Sequence, residues 1–308
     1  MTTTRRSLLA FTLAALLPLP ALALEETDLS PEQPGRIRAE KVEAAIALLP
    51  AGYNWVNPGK LTVASVPGRL PFAVYATDTR TAIGGEPDLA QIVADSLGLE
   101  LEIVPVAWAD WPLGLESGKY DAVIHNVTVT EARKEKFDFS TYRNDLLGFY
   151  VAGSSPVTEI TERKQIAGLK GAVSSGTNQE EILLRWIEEN KAEGLAPTEV
   201  SYFDDDVVQD LALESGRIDF YLGPNATSAF KAAKDGRTRL VGVLSGGYPL
   251  TAEIAVATRK GAGLADAVTA ALNAQIASGI YAEVLGKWGL GDEAISQSRT
   301  NPPGLPEK

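Results

Sequence analysis

From Lys60 onward the chain alternates short, β-rich apolar runs with stretches of helical periodicity. Leu61–Val66, Leu101–Val106 and Tyr120–Ile124 predict strands, while Pro87–Leu97, stopped by Gly98, and Asp110–Glu116 predict helices. After Phe149-Tyr150-Val151 the same grammar restarts: strands at Gly171–Val173, Glu199–Phe203 and Ile218–Leu222, helices at Gln179–Asn190 and Val207–Glu214. Such alternation implies parallel sheets with helices on both faces, and two half-length units in tandem imply two lobes. The phrase Lys-Tyr-Asp-Ala-Val-Ile at 119–124 is echoed by Arg-Ile-Asp-Phe-Tyr-Leu at 217–222, each after a Glu-Ser-Gly stop. The echo is either a generic helix-turn-strand joint or a sign of shared local architecture.

The N-terminus follows different rules. Arg5 and Arg6 precede an apolar run from Leu8 to Leu17, then Pro18, Pro20 and Ala21-Leu22-Ala23. A charged start, a short apolar stretch and a small-x-small site predict a signal peptide over residues 1–23. The run is too short to span a bilayer comfortably. Its paired arginines suit either the general or the twin-arginine export route. Residues 24–59 form an extension, in which Arg38–Leu49 has helical character with Val42, Ile46 and Leu49 on one face.

Charge narrows the function classes. The formal net charge is -12, with 28 Lys and Arg against 40 Asp and Glu. Nucleic acid is therefore not an expected partner, because its affinity rests on basic side chains neutralising phosphates. There is one His and no Cys, which excludes a zinc-type cysteine cluster, a cysteine nucleophile, a lipid-anchored Cys and any disulfide. No metal or other cofactor is expected. An exported chain of this kind is expected in the periplasm.

In order along the chain, several phrases resemble one family. They are Glu86-Pro87-Asp88-Leu89-Ala90 with Leu97-Gly98-Leu99; Leu115 to Ile124; and Val127-Thr128-Val129-Thr130-Glu131-Ala132-Arg133-Lys134 followed by Phe137-Asp138-Phe139-Ser140. Gly171 to Glu180 and Gly279-Ile280-Tyr281 with Lys287-Trp288-Gly289 complete the pattern. Over about residues 60–290 the chain is similar to the family 3, polar amino-acid type, extracellular solute-binding proteins of ABC importers. The resemblance implies an α/β, two-lobed periplasmic binding protein fold of type II with two crossover hinge strands. We place the crossovers near Leu146–Ala152 and Thr251–Ala257, lobe 1 at 60–149 and 253–291, lobe 2 at 150–252, and a flexible tail at 292–308. The implied partners are a small carboxylate, amino-acid-like, and an ABC permease in the inner membrane, with the protein acting as a monomer.

The resemblance also nominates residues. Arg133 would grip the ligand carboxylate, since a guanidinium is a planar fork of donors that stays protonated; read without the resemblance, it is a surface charge in the run Glu131–Lys136. Thr128 would add its hydroxyl and amide, and Asn126, two residues earlier, would share its side on a strand. Thr177 and Asn178 open a helix whose free amides suit an anion, although Thr177 with Glu180 also reads as a capping box. Trp108 and Phe72 are wall or core. Arg69 favours a second acidic group on the ligand if it points inward, and is a loop charge if outward. His125 reads as structural. Pro224 stands where the family holds the ligand ammonium with an Asp, so Asn225, backbone carbonyls or the acids at 204–206 substitute, or the ligand has no such ammonium. The main alternative function is a periplasmic cyclohexadienyl or arogenate dehydratase on the same scaffold, which needs a general acid in the cleft. A membrane sensor is disfavoured, because no second apolar stretch of spanning length exists.

Overall fold

The computed structural model describes residues 27–306, apart from Asp204. The expected signal peptide lies outside the described residues. Lobe 1 begins with a single helical turn, α1 (Glu43–Ile46), then β1 (Lys60–Ser65), the short pair β2 (Val74–Tyr75) and β3 (Ala82–Ile83), and α2 (Gly85–Ser96). It continues through β4 (Glu100–Pro105), α3 (Trp111–Glu116), β5 (Ala122–Val123), α4 (Glu131–Lys134) and β6 (Phe137–Asn144). Lobe 2 comprises β7 (Leu146–Ala152), β8 (Lys170–Val173), α5 (Asn178–Ala192), β9 (Glu199–Tyr202), α6 (Asp206–Glu214), β10 (Phe220–Pro224), α7 (Asn225–Asp235) and β11 (Thr238–Ser245). The chain then returns to lobe 1 with β12 (Glu253–Arg259), α8 (Leu264–Ser278) and α9 (Ile280–Lys287).

Each lobe has a five-stranded sheet, in the orders β4-β1-β5-β12-β6 and β11-β7-β10-β8-β9. Wholly parallel sheets were the expectation. Three strands of each sheet are parallel as expected, but β12 and β6, and likewise β7 and β11, run antiparallel to their neighbours. These are the strands that lead into or out of a crossing, so their direction is set by the passage between lobes. The crossings also lie earlier in the chain than expected, and the first is shorter. Asp145 alone separates β6 from β7, and residues 246–252 separate β11 from β12. The two passages are bonded to each other: Asp145 N–H donates to Ala252 O (3.0 Å), and Gly246 N–H donates to Asp145 O (2.9 Å).

The echoed phrases do the same work in both lobes. Gly118 and Gly216 end their helices at φ +74° and +70°, left-handed values that favour glycine. Three residues after each glycine, an Asp carboxylate binds the backbone at the start of a neighbouring parallel strand. Asp121 accepts from Thr62 N (3.0 Å), and Asp219 accepts from Lys170 N (2.8 Å). Each turn thereby sets the register of the strand beside it.

All twelve residues of α2 are buried, including three acids. A buried carboxylate is costly without donors, and each finds them in segments distant in sequence. Asp88 accepts from Arg36, Lys287 and the Trp288 indole at 2.8–2.9 Å. Asp95 accepts from Arg38 through two nitrogens, from Ala39 N and from Gln91. Glu86 accepts from Tyr142 (2.6 Å) and Arg143 (2.9 Å). The extension is therefore laid along α2. Its expected helix shrinks to α1, because Arg38 and Ala39 are held to Asp95 in the stretch just before it.

The expected flexible tail is packed on lobe 1. Thr141 N donates to Arg299 O, Asn301 N to Phe139 O, Leu305 N to Val129 O, and Glu131 N to Leu305 O, so residues 299–305 run beside β6 and over the loop before α4. Glu293 is 4 % exposed and forms an ion pair with Arg143, itself 1 % exposed. The backbone and the ion pair together fix a segment that composition alone presents as loose. Among the described residues no helix is long and apolar enough to cross a membrane. Deleting residues 292–308 should cost about 3 kcal/mol or more, because it leaves buried Arg143 short of a partner. Thermal denaturation should record a fall of roughly 6–12 °C.

Candidate functional site

The two sheets meet at the crossings, and the side chains there come from both lobes. Thr130 caps α4 by accepting from Arg133 N (3.1 Å). Arg133 Nη1 donates to Thr128 O (2.9 Å), and Nη2 reaches Gly176 O of lobe 2 (3.3 Å). Its guanidinium carbon lies 5.7 Å from the Trp108 ring centre and 5.8 Å from that of Trp111. Burial pushes its pKa down to about 10, opposed by the charges of Glu181 and Asp145. It stays protonated at neutral pH.

Thr128 is 1 % exposed, and its hydroxyl lies 2.9 Å from Asp145 Oδ2 and 3.1 Å from Asn178 Oδ1. Asn178 Nδ2 donates to the same Asp145 oxygen (2.8 Å) and to Gly246 O (2.6 Å). One amide side chain of lobe 2 is thus bonded to lobe 1 and to both crossings. Thr177 caps α5, accepting from Glu180 N (3.3 Å) while donating to Ser174 O (2.7 Å). The Glu180 carboxylate reaches Gly176 N (2.6 Å) rather than the cap residue itself, a shifted form of the expected capping box.

Asn126 and Phe72 fall in a second, adjoining group. Asn126 has φ +46°, a left-handed conformation that Asn tolerates. Its Oδ1 accepts from Arg143 Nη2 (2.7 Å), and its N–H donates to Tyr142 Oη (3.2 Å). Phe72, 3 % exposed, packs its ring 4.6 Å from the Arg143 guanidinium carbon and edge-on to His125. Burial, helped by the Arg143 charge, pushes His125 down to about 3, so it is neutral. One guanidinium here serves two carboxylates, Glu86 and Glu293. Burial pushes Glu293 up to about 7 in spite of Arg143.

Arg69 and Asn225 bond to neither group, although Asn225 shares a cavity wall with Glu293. Arg69 matches neither expected orientation: it spans the rim to lobe 2, pairing with Asp206 (3.3 Å) and Asp210 (3.2 Å). Of the acids at 204–206, Asp206 is thus engaged by Arg69, Asp205 caps α6, and Asp204 lies outside the described residues. Asn225 accepts from the Tyr150 hydroxyl (3.0 Å) and borders an interlobe cavity of about 290 Å³ with Pro71, Phe230 and Trp288. Pro224 pairs in register with Leu147, two residues beyond Asp145.

Sequence reasoning missed Glu86, Arg143, Asp145 and Glu293. The available signal was Arg143-Asn144-Asp145, a polar run directly before the apolar stretch Leu146–Ala152. Among the described residues there is no group of three or more His, Cys, Asp or Glu that could hold a metal ion.

The raised Glu293 has a measurable consequence. Its pKa in the folded chain lies above the ordinary 4.5, so the folded state binds the extra proton between about pH 4.5 and 7. Stability contributed by that proton is present at low pH and lost as pH rises through this window, up to about 3 kcal/mol. Chemical denaturation of Glu293→Gln across pH 4.5 to 7.5 should give a flatter profile than the parent chain.

Residues 61–291 match the profile of the bacterial extracellular solute-binding proteins, family 3. The L-cystine-binding protein TcyJ of Escherichia coli is 31 % identical over 170 residues, covering 55 % of this chain and 60 % of that one. The chain thus spans about 60 % of the length of that relative. The arginine-binding protein ArgT of Corynebacterium glutamicum is 26 % identical over 79 % of this chain and 78 % of its own. Among solved structures, holo ArgBP from T. maritima superposes with a TM-score of 0.62 at 25 % identity, over 75 % of this chain and 96 % of that one. The chain belongs to the bacterial extracellular solute-binding proteins of family 3.

Proposed function

We propose that this protein captures an amino acid or closely related small carboxylate between its lobes, outside the cytoplasm, for delivery to an ABC permease. The observation that carries the reading is the position of Arg133. Its guanidinium lies where the lobes meet, bonded to a carbonyl oxygen of each, Thr128 O and Gly176 O. A ligand carboxylate can replace weaker neutral acceptors there with a charge-assisted, two-pronged pair. Family membership and the cystine- and arginine-binding relatives support the same reading.

In this account the ligand docks first on lobe 1, at Arg133 and Thr128. Lobe 2 then closes about the crossings at Asp145 and 246–252, bringing the start of α5 against the ligand. The interlobe contacts Arg133 to Gly176, Thr128 to Asn178, and Arg69 to Asp206 and Asp210 are of the kind that stabilise a closed form. The permease would recognise that closed form. The protein would act by binding, without turnover of the ligand.

A thermal-shift panel of the standard L-amino acids, cystine, keto acids and small dicarboxylates should yield a stabilising ligand. At about 100 times its dissociation constant, that ligand adds roughly 2.7 kcal/mol and raises the melting temperature by several degrees. Arg133→Ala should weaken binding by about 100-fold or more, with an unchanged circular dichroism spectrum. Unaltered affinity by calorimetry would sink the assignment, and turnover of prephenate or arogenate would replace binding with catalysis.

A further inference from the structure

The tail meets both the segment leading to Arg133 and the second crossing at one residue, Leu305. Its N–H donates to Val129 O (2.9 Å), and its carbonyl accepts from Glu131 N (2.8 Å). On the opposite edge of the same segment, Val129 N donates to Glu253 O (3.0 Å), and Thr128 pairs with Ile254. The stretch from Thr128 to Glu131 is therefore held as a strand, with the start of β12 on one side and the tail on the other. The inner partner belongs to the region matched by the family; the outer one lies beyond it. Without Leu305, Val129 O and Glu131 N lose their backbone partners, and that edge of the segment is left free.

Two glycines set how closely the tail lies. A Cβ on Gly304 would come within 2.7–2.9 Å of the Thr130 and Glu131 backbone, nearer than real Cβ atoms approach. Gly304 N also donates to the Glu131 carboxylate (2.6 Å). Gly247 is buried in the second crossing, and Leu305 Cδ2 fills the space that a Cβ there would need. The side chain of Leu305 thus touches the passage that moves with lobe 2, while its backbone holds the segment that carries Thr128. Earlier in the tail, Arg299 pairs with Glu253 (2.6 Å), the first residue after that passage. The Arg299 backbone bonds Thr141, four residues before Asp145, through both its N–H (3.0 Å) and its carbonyl (3.1 Å). The tail is braced on the lobe 1 side of both crossings.

We propose that Gly304 and Leu305 are positioning residues for ligand capture: the tail is the outer strand of the Thr128–Glu131 segment and, through Leu305 against Gly247, a strap that limits how far lobe 2 swings away. Opening displaces residues 246–252 relative to lobe 1, so it must break the Leu305 contact or pull on the Val129 and Glu131 pairing. Lobe angle and the geometry at Thr128 and Arg133 are thereby coupled through a segment outside the cleft. The effect of the strap on ligand release rests on the capture reading given above; its effect on the lobes does not.

The chain has no cysteine, so Lys119→Cys on lobe 1 and Lys234→Cys on lobe 2, both at exposed positions, accept a pair of spin labels in the full chain. Interlobe distances without added ligand are compared in this labelled protein and with Leu305→Ala or Leu305→Met added, and amide exchange is followed at residues 246–252. Leu305→Ala keeps both backbone bonds and loses the contact with Gly247. It should move the distances to wider separations and speed exchange at 246–252 by about tenfold. Leu305→Met, which conserves volume, should stay within about twofold of the parent. A lower melting temperature with unchanged distances and exchange makes Leu305 ordinary packing and overturns the proposal. If Leu305→Ala fails to fold, deletion of residues 304–308, which spares the Arg299 and Glu293 contacts, is read by the same two outcomes. L-arginine and L-cystine probe capture: either one that binds the parent should leave Leu305→Ala about tenfold faster, its association rate changing less than about twofold. Equal release rates overturn the strap's part in capture. A parent that binds no carboxylate, beside a Leu305→Ala protein with widened lobes, defeats the capture reading and leaves the strap standing.

Discussion

The chain must pass between two sheets twice, at nearly the same place, and the structure depends on how that passage is satisfied. At a double crossing the backbone leaves both hydrogen-bonding ladders in a buried setting, where unmet amides and carbonyls are costly. Here each passage supplies the other's partners: Asp145 bonds through both its amide and its carbonyl to the second crossing. Its carboxylate then gathers Thr128 from one lobe and Asn178 from the other. The crossings therefore also hold side chains of the candidate site. A change in the angle between the lobes moves groups that touch the site.

A second constraint is the burial of α2 with its acids intact. Each acid needs donors, and these come from segments distant in sequence: the extension at Arg36 and Arg38, α9 at Lys287 and Trp288, and β6 at Tyr142 and Arg143. The tail closes the last of these arrangements through Glu293. Residues 27–59 and 292–306, which flank the region matched by the family, are thus parts of lobe 1. The tail also bonds to Val129 and Glu131, in the loop that carries Thr128 and leads to Arg133. Through that contact it holds the loop from outside the cleft.

The distribution of charge follows from these constraints. Surface pairs such as Lys191 with Glu188, both largely exposed, contribute little to stability. The Arg143 group is different, because breaking a fully buried pair strands a charge. It also packs against Phe72 and bonds Asn126. Arg69, by contrast, ties the lobes at the rim.

The sequence by itself determined the alternating elements and the two lobes, because helix and strand periodicities and glycine stops are local, and the family resemblance nominated the segments of the candidate site. It also placed Thr128, Arg133, Thr177 and Asn178 in phrases that the fold brings to one junction. What it could not determine was pairing across long separations. Whether Arg69 faced the ligand or solvent had no local answer, since its acids lie at 206 and 210 in the other lobe. The same holds for Glu86, Arg143 and Glu293, ordinary charges in sequence that become one buried group only when α2, β6 and the tail pack together. The tail looked loose because Pro, Gly and polar residues give no periodic signal, while its order comes from backbone bonds to a strand edge. Tertiary structure decided which charges are buried and with whom, and desolvation, which depends on every neighbour at once, is the reason.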